Sequence, residues 1–297
     1  MVQVVPPERI HLVVNVGDDL EMWGLHISPD IDSILYALSD RLDWVRGWGV
    51  RGETFRCLAA MEALGQPAWF QLGDSDLATH LYRTELLRSG LTLSATIERL
   101  ASSMGVRSRV MPATDDRVRT RIETVNGMLD FQEFFVRERW RPEVRSVVFA
   151  GAAEARVPEP VLHSIREARA VIVAPSNPIT SIGPILAIPG IRDALRCTRA
   201  EVVAVSPIIG NAAVSGPAGK LMDACGHEVS PIGVARCYHD FLDLMVIDTS
   251  DKELASSIRY DTIGVEVTDI LVHNAEDAAQ LARFVVSKAD ENSFVAS

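Results

Sequence analysis

Cations are scarce in this sequence. Lys and Arg total 29 against 40 Asp and Glu, a net charge of −11. A broad nucleic-acid surface needs clustered cations to neutralise phosphates, so that function class is excluded. An acidic protein can still bind one or two nucleotides, through local loops and a divalent cation. Long apolar runs are also missing. Stretches such as Ala170-Val171-Ile172-Val173-Ala174 fall far below the roughly 20 residues of a membrane helix. Cys57, Cys197, Cys225 and Cys237 are scattered and form no CxxC pair, which predicts reduced thiols, mostly in or near the core of a cytoplasmic protein. The opening MVQVVPPERI has no basic leader before an apolar core, so no signal peptide is expected. Repeats, low-complexity stretches and linkers are absent. So is GxGxxG. A Walker A reading of Ser215-Gly216-Pro217-Ala218-Gly219-Lys220 fails on glycine spacing and on Leu221, which stands where a Ser or Thr would touch magnesium.

What is present is an ordinary globular chain. Its 297 residues, 47% hydrophobic, allow one large α/β domain or two modest ones and need no disulfide or metal to hold a core. Val4-Val5-Pro6-Pro7 reads as a helix end and turn before a strand at 11–16 that runs into Gly17-Asp18-Asp19. Helical spacing predicts helices over 54–64, 78–88 and 95–104, the last capped by Ser94. Short strands are expected at 109–112 and 121–125. From about 145 the pattern alternates strands (146–149, 170–174, 202–205, 244–248, 263–267) with helices (158–168, 181–188, 191–196, 238–242, 275–289), and a polar tail frays after Lys288. Continuous apolar strands between helices argue a parallel sheet buried on both faces. The expected fold is α/β: a Rossmann-like, mostly parallel sheet flanked by helices over 1–50 and 145–297, with a largely helical insertion over 51–144.

Ligands of open α/β sheets sit beyond the carboxyl ends of the strands, so the loops there carry the chemistry. Asp18, Asp19, Asp30 and Asp32 fall within fifteen residues. The cluster reads equally as a divalent-cation site or as caps and turn solvation, with Asp30 or Asp32 capping a helix near Ile34. The loop Ser176-Asn177-Pro178-Ile179-Thr180-Ser181-Ile182-Gly183 joins a strand to a helix start and suits a phosphate or a nucleobase edge. Ser206 to Gly210, continuing to Lys220, repeats that plan. Asp74, Asp76, Thr79 and His80 either line a pocket or cap a helix. Asp115-Asp116 reads as a solvated turn, and His239-Asp240 lacks the partners of a metal site. Trp23, Trp44 and Trp48 read as core or interface residues, or as a ring-stacking surface.

The runs NVGDD, ISPDID, RGWGVRGETF, LGDSDLATHLYRTELLRSG, PATDD, FQEFFVRER, APSNPITSIGPILAIPGI, SPIIGNAAVSGPAGKLM and CYHDFLD closely resemble the 2-phospho-L-lactate transferase family of coenzyme F-420 biosynthesis, over about residues 11–286. The resemblance implies a homodimer with a Rossmann-like core. It also implies transfer of a phospholactyl-type group (2-phospholactate, phosphoenolpyruvate or 3-phosphoglycerate) from a guanosine diphosphate-linked donor to the ribitol hydroxyl of the deazaflavin Fo, releasing GMP. Mg2+ would be held by Asp18 and Asp32, with Asp30 and Asp19 in reserve, and Asp32 would orient or deprotonate the hydroxyl. Asp32, Gln71, Thr79 and His80 would meet Fo; Gln71 replaces a basic residue of some members. Ser176, Asn177, Pro178, Ser181, Gly183, Ser206 and Gly210 would hold the donor nucleotide. Members open with a strand, a Gly-Gly-x-Gly-x-x-Lys loop and a helix, and this chain is expected to lack that unit. Two other readings stay open: a nucleotidyl or nucleotide-sugar transferase using a carboxylate-bound metal, and a non-catalytic nucleotide-binding or regulatory homologue.

Overall fold

A computed structural model describes residues 1–259 and 263–293. They form two compact units: one of residues 7–143 and 148–158, the other of residues 1–6, 144–147 and 159 onward. No helix among the described residues is long and apolar enough to cross a membrane.

In the first unit, β1 (His11–Val14) begins the chain's first strand-loop crossover. A hairpin follows, β2 (Leu20–Met22) and β3 (Leu25–Ile27), turned by Trp23 and Gly24 at φ 53° and 74°. Both turn residues have the positive φ that type I′ hairpins require, a conformation a tryptophan rarely signals. Helix α1 (Pro29–Leu38) starts with Pro29, whose missing amide costs nothing there. Asp30 and Asp32 do not cap it. They lie within its first turn, and Ser28 at the cap position sends its hydroxyl to Asp19 instead.

Helices α2 (Arg56–Ala63) and α3 (Asp74–Arg88) exchange caps. Asp74 accepts from the amides of Arg56 and Cys57, and Glu53 accepts from those of Ser75 and Asp76. Gly73, at the start of α3, is needed for this: a Cβ there would lie 1.9 Å from the Glu53 side chain. Helix α4 (Leu93–Ser103) is capped by Thr92, whose hydroxyl accepts from the Ala95 amide, and not by Ser94. β4 (Arg109–Pro112) then pairs in parallel with β1, and β5 (Arg119–Thr124) turns back into β6 (Gly127–Asp130). Of the three tryptophans, Trp44 and Trp48 are not core residues: Trp44 is 67% exposed and Trp48 is exposed, its ring under the Arg46 guanidinium. Trp23 is half-buried and donates to the Pro67 carbonyl.

Strand β7 (Val144–Ala150) contributes residues to both units. The second unit follows with α5 (Glu159–Arg166), β8 (Ala170–Val173), α6 (Gly183–Leu186), α7 (Ile191–Cys197) and β9 (Glu201–Val205). A short hairpin, β10 (Ile208–Ile209) with β11 (Ala212–Ala213), precedes α8 (Ala218–Ala224), α9 (Pro231–Tyr238), β12 (Leu244–Asp248), α10 (Ala255–Arg259), β13 (Gly264–Thr268) and α11 (Ala275–Ser293). Its sheet runs β13-β12-β9-β8, every pair parallel. Val203, Val205, Leu244 and Val246 are buried in one cluster with Val285 and Ala289 of α11, as expected for apolar strands covered by helices.

Three boundaries differ from expectation. The helix placed at 238–242 lies at 231–238, where Ser230 caps by accepting from the Gly233 amide and Pro231 takes the first position. The helix of 181–188 is one turn, because Asn177 holds the preceding residues in a loop. The terminal helix runs on through Ser293. Cys57 and Cys197 are exposed; only Cys225 and Cys237 are half-buried.

Candidate active site

The loop after β1 and the first turn of α1 bring four carboxylates together, Asp18 and Asp19 from the one, Asp30 and Asp32 from the other. Asp18, Asp19 and Asp32 are each about 95% buried, and Asn15 bridges the cluster by donating to Asp30 Oδ2 at 2.9 Å and accepting from the Gly17 amide at 2.7 Å. Burial and the charge of Asp30 push the Asp18 carboxyl well above the usual range. Burial, with the charges of Asp19 and Asp32, pushes Asp30 up to about 6 against the Asn15 hydrogen bond. The Thr120 and Asn15 side chains act against the rise at Asp18, although Asp18 Oδ1 itself is buried without a well-formed hydrogen bond. Asp19 is engaged differently: its Oδ2 accepts from Ser28 Oγ and contacts His26 Nε2, both at 3.0 Å. Beside it opens a cleft of about 420 Å3, also lined by Asp115, Arg117 and Arg119.

Helix α3 turns a polar stripe toward the same unit's interior. Asp76, Thr79, His80 and Arg83 are buried, Arg83 completely. Tyr36 of α1 donates to Asp76 Oδ1 at 2.5 Å, and burial pushes its phenol up. Burial works to raise Asp76, yet the adjacent His80, the hydrogen bond from Tyr36 and the Arg83 charge hold it below the ordinary carboxylate value. Arg83 donates to both oxygens of Asp32, through Nη2 to Oδ1 and through Nη1 to Oδ2 at 3.1 Å. Burial would lower the guanidinium, but the Asp32 charge and its hydrogen bonds more than reverse that. Asp32, Asp76 and His80 offer ligand atoms within 4.8 Å of one another, a set that could hold a metal. Arg83 already brings a positive charge to it.

The strand-end loops of the second unit are largely closed on themselves. Asn177 Oδ1 accepts from the amides of Ile179 and Thr180, and its carbonyl accepts from those of Ser181 and Ile182. Ser206 is buried, donating to the Ile208 carbonyl and accepting from its amide. The Gly210 amide, at φ 59°, donates to both oxygens of Asp251. Pro178 is buried, while Ser176, Ser181 and Gly183 stay partly accessible.

The remaining candidates divide cleanly. Gln71 is exposed in the loop before α3, whereas Thr79 and His80 lie in the polar interior. Asp115 caps α4 through the Ser94 amide, and Asp116 binds the Arg156 amide, so neither is a free turn residue. Asp240 pairs with Arg192. Arg83, Tyr36 and His26 escaped notice in the sequence, and Asn15 stood out only as part of the NVGDD run. The signal was the spacing Asp76, His80, Arg83, which places three charged or polar groups on one face of a helix.

Comparison with known proteins places the chain in a family. Residues 2–288 match the model of 2-phospho-L-lactate transferase CofD. A 2-phospho-L-lactate transferase from Methanosarcina mazei is 43% identical over 286 residues, covering 96% of this chain and 93% of its own. A phosphoenolpyruvate transferase from Kitasatospora aureofaciens is 36% identical over 292 residues, covering 96% and 91%. A Bacillus halodurans crystal structure shares the fold at 14% identity, with a TM-score of 0.62 over 92% of this chain and 90% of that one. The protein therefore belongs to the 2-phospho-L-lactate transferase family, transferases of coenzyme F-420 biosynthesis.

Proposed function

We propose that this protein transfers a phospholactyl-type group from a guanosine diphosphate-linked donor to the ribitol hydroxyl of the deazaflavin Fo, releasing GMP, with Mg2+ as cofactor. The observation that carries the reading is the buried Asp18 beside the half-buried Asp30, both with raised carboxyls, in a member of this family. Carboxylates confined in this way take up either a proton or a hard cation. Asp18 Oδ1, without a well-formed hydrogen bond, supports the cation, since magnesium commonly uses one or two carboxylates plus substrate phosphate oxygens. Bound there, Mg2+ would neutralise charge on the diphosphate.

Asp30 joins Asp18 as the favoured ligand, ahead of Asp32, because Arg83 occupies a lone pair on each Asp32 oxygen. A carboxylate has about four acceptor sites, so Asp32 keeps capacity to accept a hydrogen bond from the ribitol hydroxyl and orient it. Thr79, His80 and Gln71 would line the acceptor side. In the second unit, Asn177 and Ser206 would shape the loops, leaving Ser176, Ser181 and the amide of Gly183 to meet the guanosine part. The donor acid is one of 2-phospholactate, phosphoenolpyruvate and 3-phosphoglycerate; the relatives' names cover the first two. The working form would be a cytoplasmic homodimer.

Incubation with Fo, Mg2+ and each guanylated donor, followed by mass spectrometry of GMP and the phosphodiester, tests this. Turnover with one donor, lost in Asp18→Asn at an unchanged thermal midpoint, supports it. GDP binding without turnover on any donor overturns it.

A further inference from the structure

We infer that Arg83 is a positioning residue, one that sets the orientation of Asp32 and the hydrogen position of His80 on the acceptor side of the site. The inference deepens the transferase reading and rests on it for the consequence in catalysis. Arg83 is wholly buried, yet its contacts reach three elements. From α3 its Nη2 donates to Asp32 Oδ1 on α1, and the two hydrogens of Nη1 face Asp32 Oδ2 at 3.1 Å, the His26 carbonyl of β3 at 3.3 Å and Nδ1 of His80, one turn back on its own helix, at 3.3 Å.

A guanidinium has donors and no acceptor, so the nitrogen it faces must accept. Nδ1 of His80 is that nitrogen, which leaves the ring hydrogen on Nε2. Nε2 points toward Asp76 Oδ1 at 3.3 Å, without a close hydrogen bond. The same guanidinium pins both Asp32 oxygens in one plane. Arg83 thereby fixes one group as acceptor and the other as donor without meeting a substrate itself. A purely structural ion pair would explain the Asp32 contact, but the His80 contact has no place in it. The Arg83 Nε is left without a partner, so the placement does not maximise the residue's own hydrogen bonding.

Arg83→Lys and Arg83→Ala test this. Lysine keeps the charge but cannot form the two-pronged contact. Its kcat should fall about 10–100-fold, the range for outer residues that orient a site, with the KM for the guanylated donor unchanged. Free guanidinium ion at non-denaturing concentration should restore part of the Arg83→Ala rate. Ring nitrogen-15 spectra, with His80 assigned by its loss in His80→Gln, should show hydrogen on Nε2 in the wild type and a mixture of both forms in Arg83→Lys. Wild-type kcat together with an unaltered His80 signal in Arg83→Lys would overturn the inference, even if the thermal midpoint drops. Should the wild type turn over no donor, the transferase reading fails, and the His80 signal alone still decides the role of Arg83. If Arg83→Ala does not fold, the lysine variant decides.

Discussion

Both units have an apolar core, but among the described residues only in the first does a cluster of paired charges lie buried beside it. The second unit's sheet hides Val203, Val205, Leu244, Val246 and their α11 partners, which need only exclusion from water. The first unit hides Asp18, Asp32, Asp76, His80 and Arg83, each of which needs a specific partner. An apolar core gains about 25 cal/mol for each Å2 it removes from water, whatever the neighbour. A polar core gains little on balance and loses heavily when one partner goes. The difference separates a region that holds the chain together from one that holds groups in a chemical state.

That contrast can be broken deliberately. The largest effect is expected from Arg83→Met, which leaves Asp32 buried without its counter-charge and should cost about 3–5 kcal/mol by denaturant titration. Adding Asp32→Leu should recover most of that loss, as no apolar core mutation would. Leu244→Ala should cost about 3 kcal/mol, and no second substitution that merely removes a neighbour should restore it.

The carboxylate pair gives a smaller effect with a defined direction. Asp30 is raised to about 6 in the folded chain, so folding favours its protonated form. The destabilisation is absent near pH 4, grows as pH rises toward 6 and is complete above it, reaching at most about 3 kcal/mol. Without metal, thermal midpoints should therefore fall over that window. Mg2+ should raise the midpoint at pH 7 and not at pH 4, and Asp30→Asn should flatten both responses. A wild-type midpoint that rises from pH 4 to 6, with no Mg2+ effect, would contradict this. The smallest effect is expected from Glu53→Ala, about 1 kcal/mol for the lost cap of α3, with the Leu244 region unaffected.

How much could be read beforehand followed the same division. β12 was legible because Leu244 to Ile247 is a continuous apolar run rich in β-branched residues and of strand length, ending at Asp248. α9 was misplaced because its apolar spacing is weak, although Ser230-Pro231 marks a helix start. The β2–β3 hairpin hid behind Trp23, which carries no turn signal. In the site, the aspartate cluster stood out because acids crowd a strand end. Arg83 did not, since an arginine on a helix ordinarily faces water. Only tertiary packing reveals that its face of α3 points inward.

The cap exchange between α2 and α3 has a consequence for motion. Because Asp74 belongs to α3 but serves the start of α2, and Glu53 precedes α2 but serves α3, neither helix can fray alone without exposing the other's amides. The Cys57 and Asp76 amides should then exchange with deuterium at a shared rate, opening as one event. Gln71 sits in the loop that leads from the end of α2 into α3, so the fastening holds that loop at its α3 end.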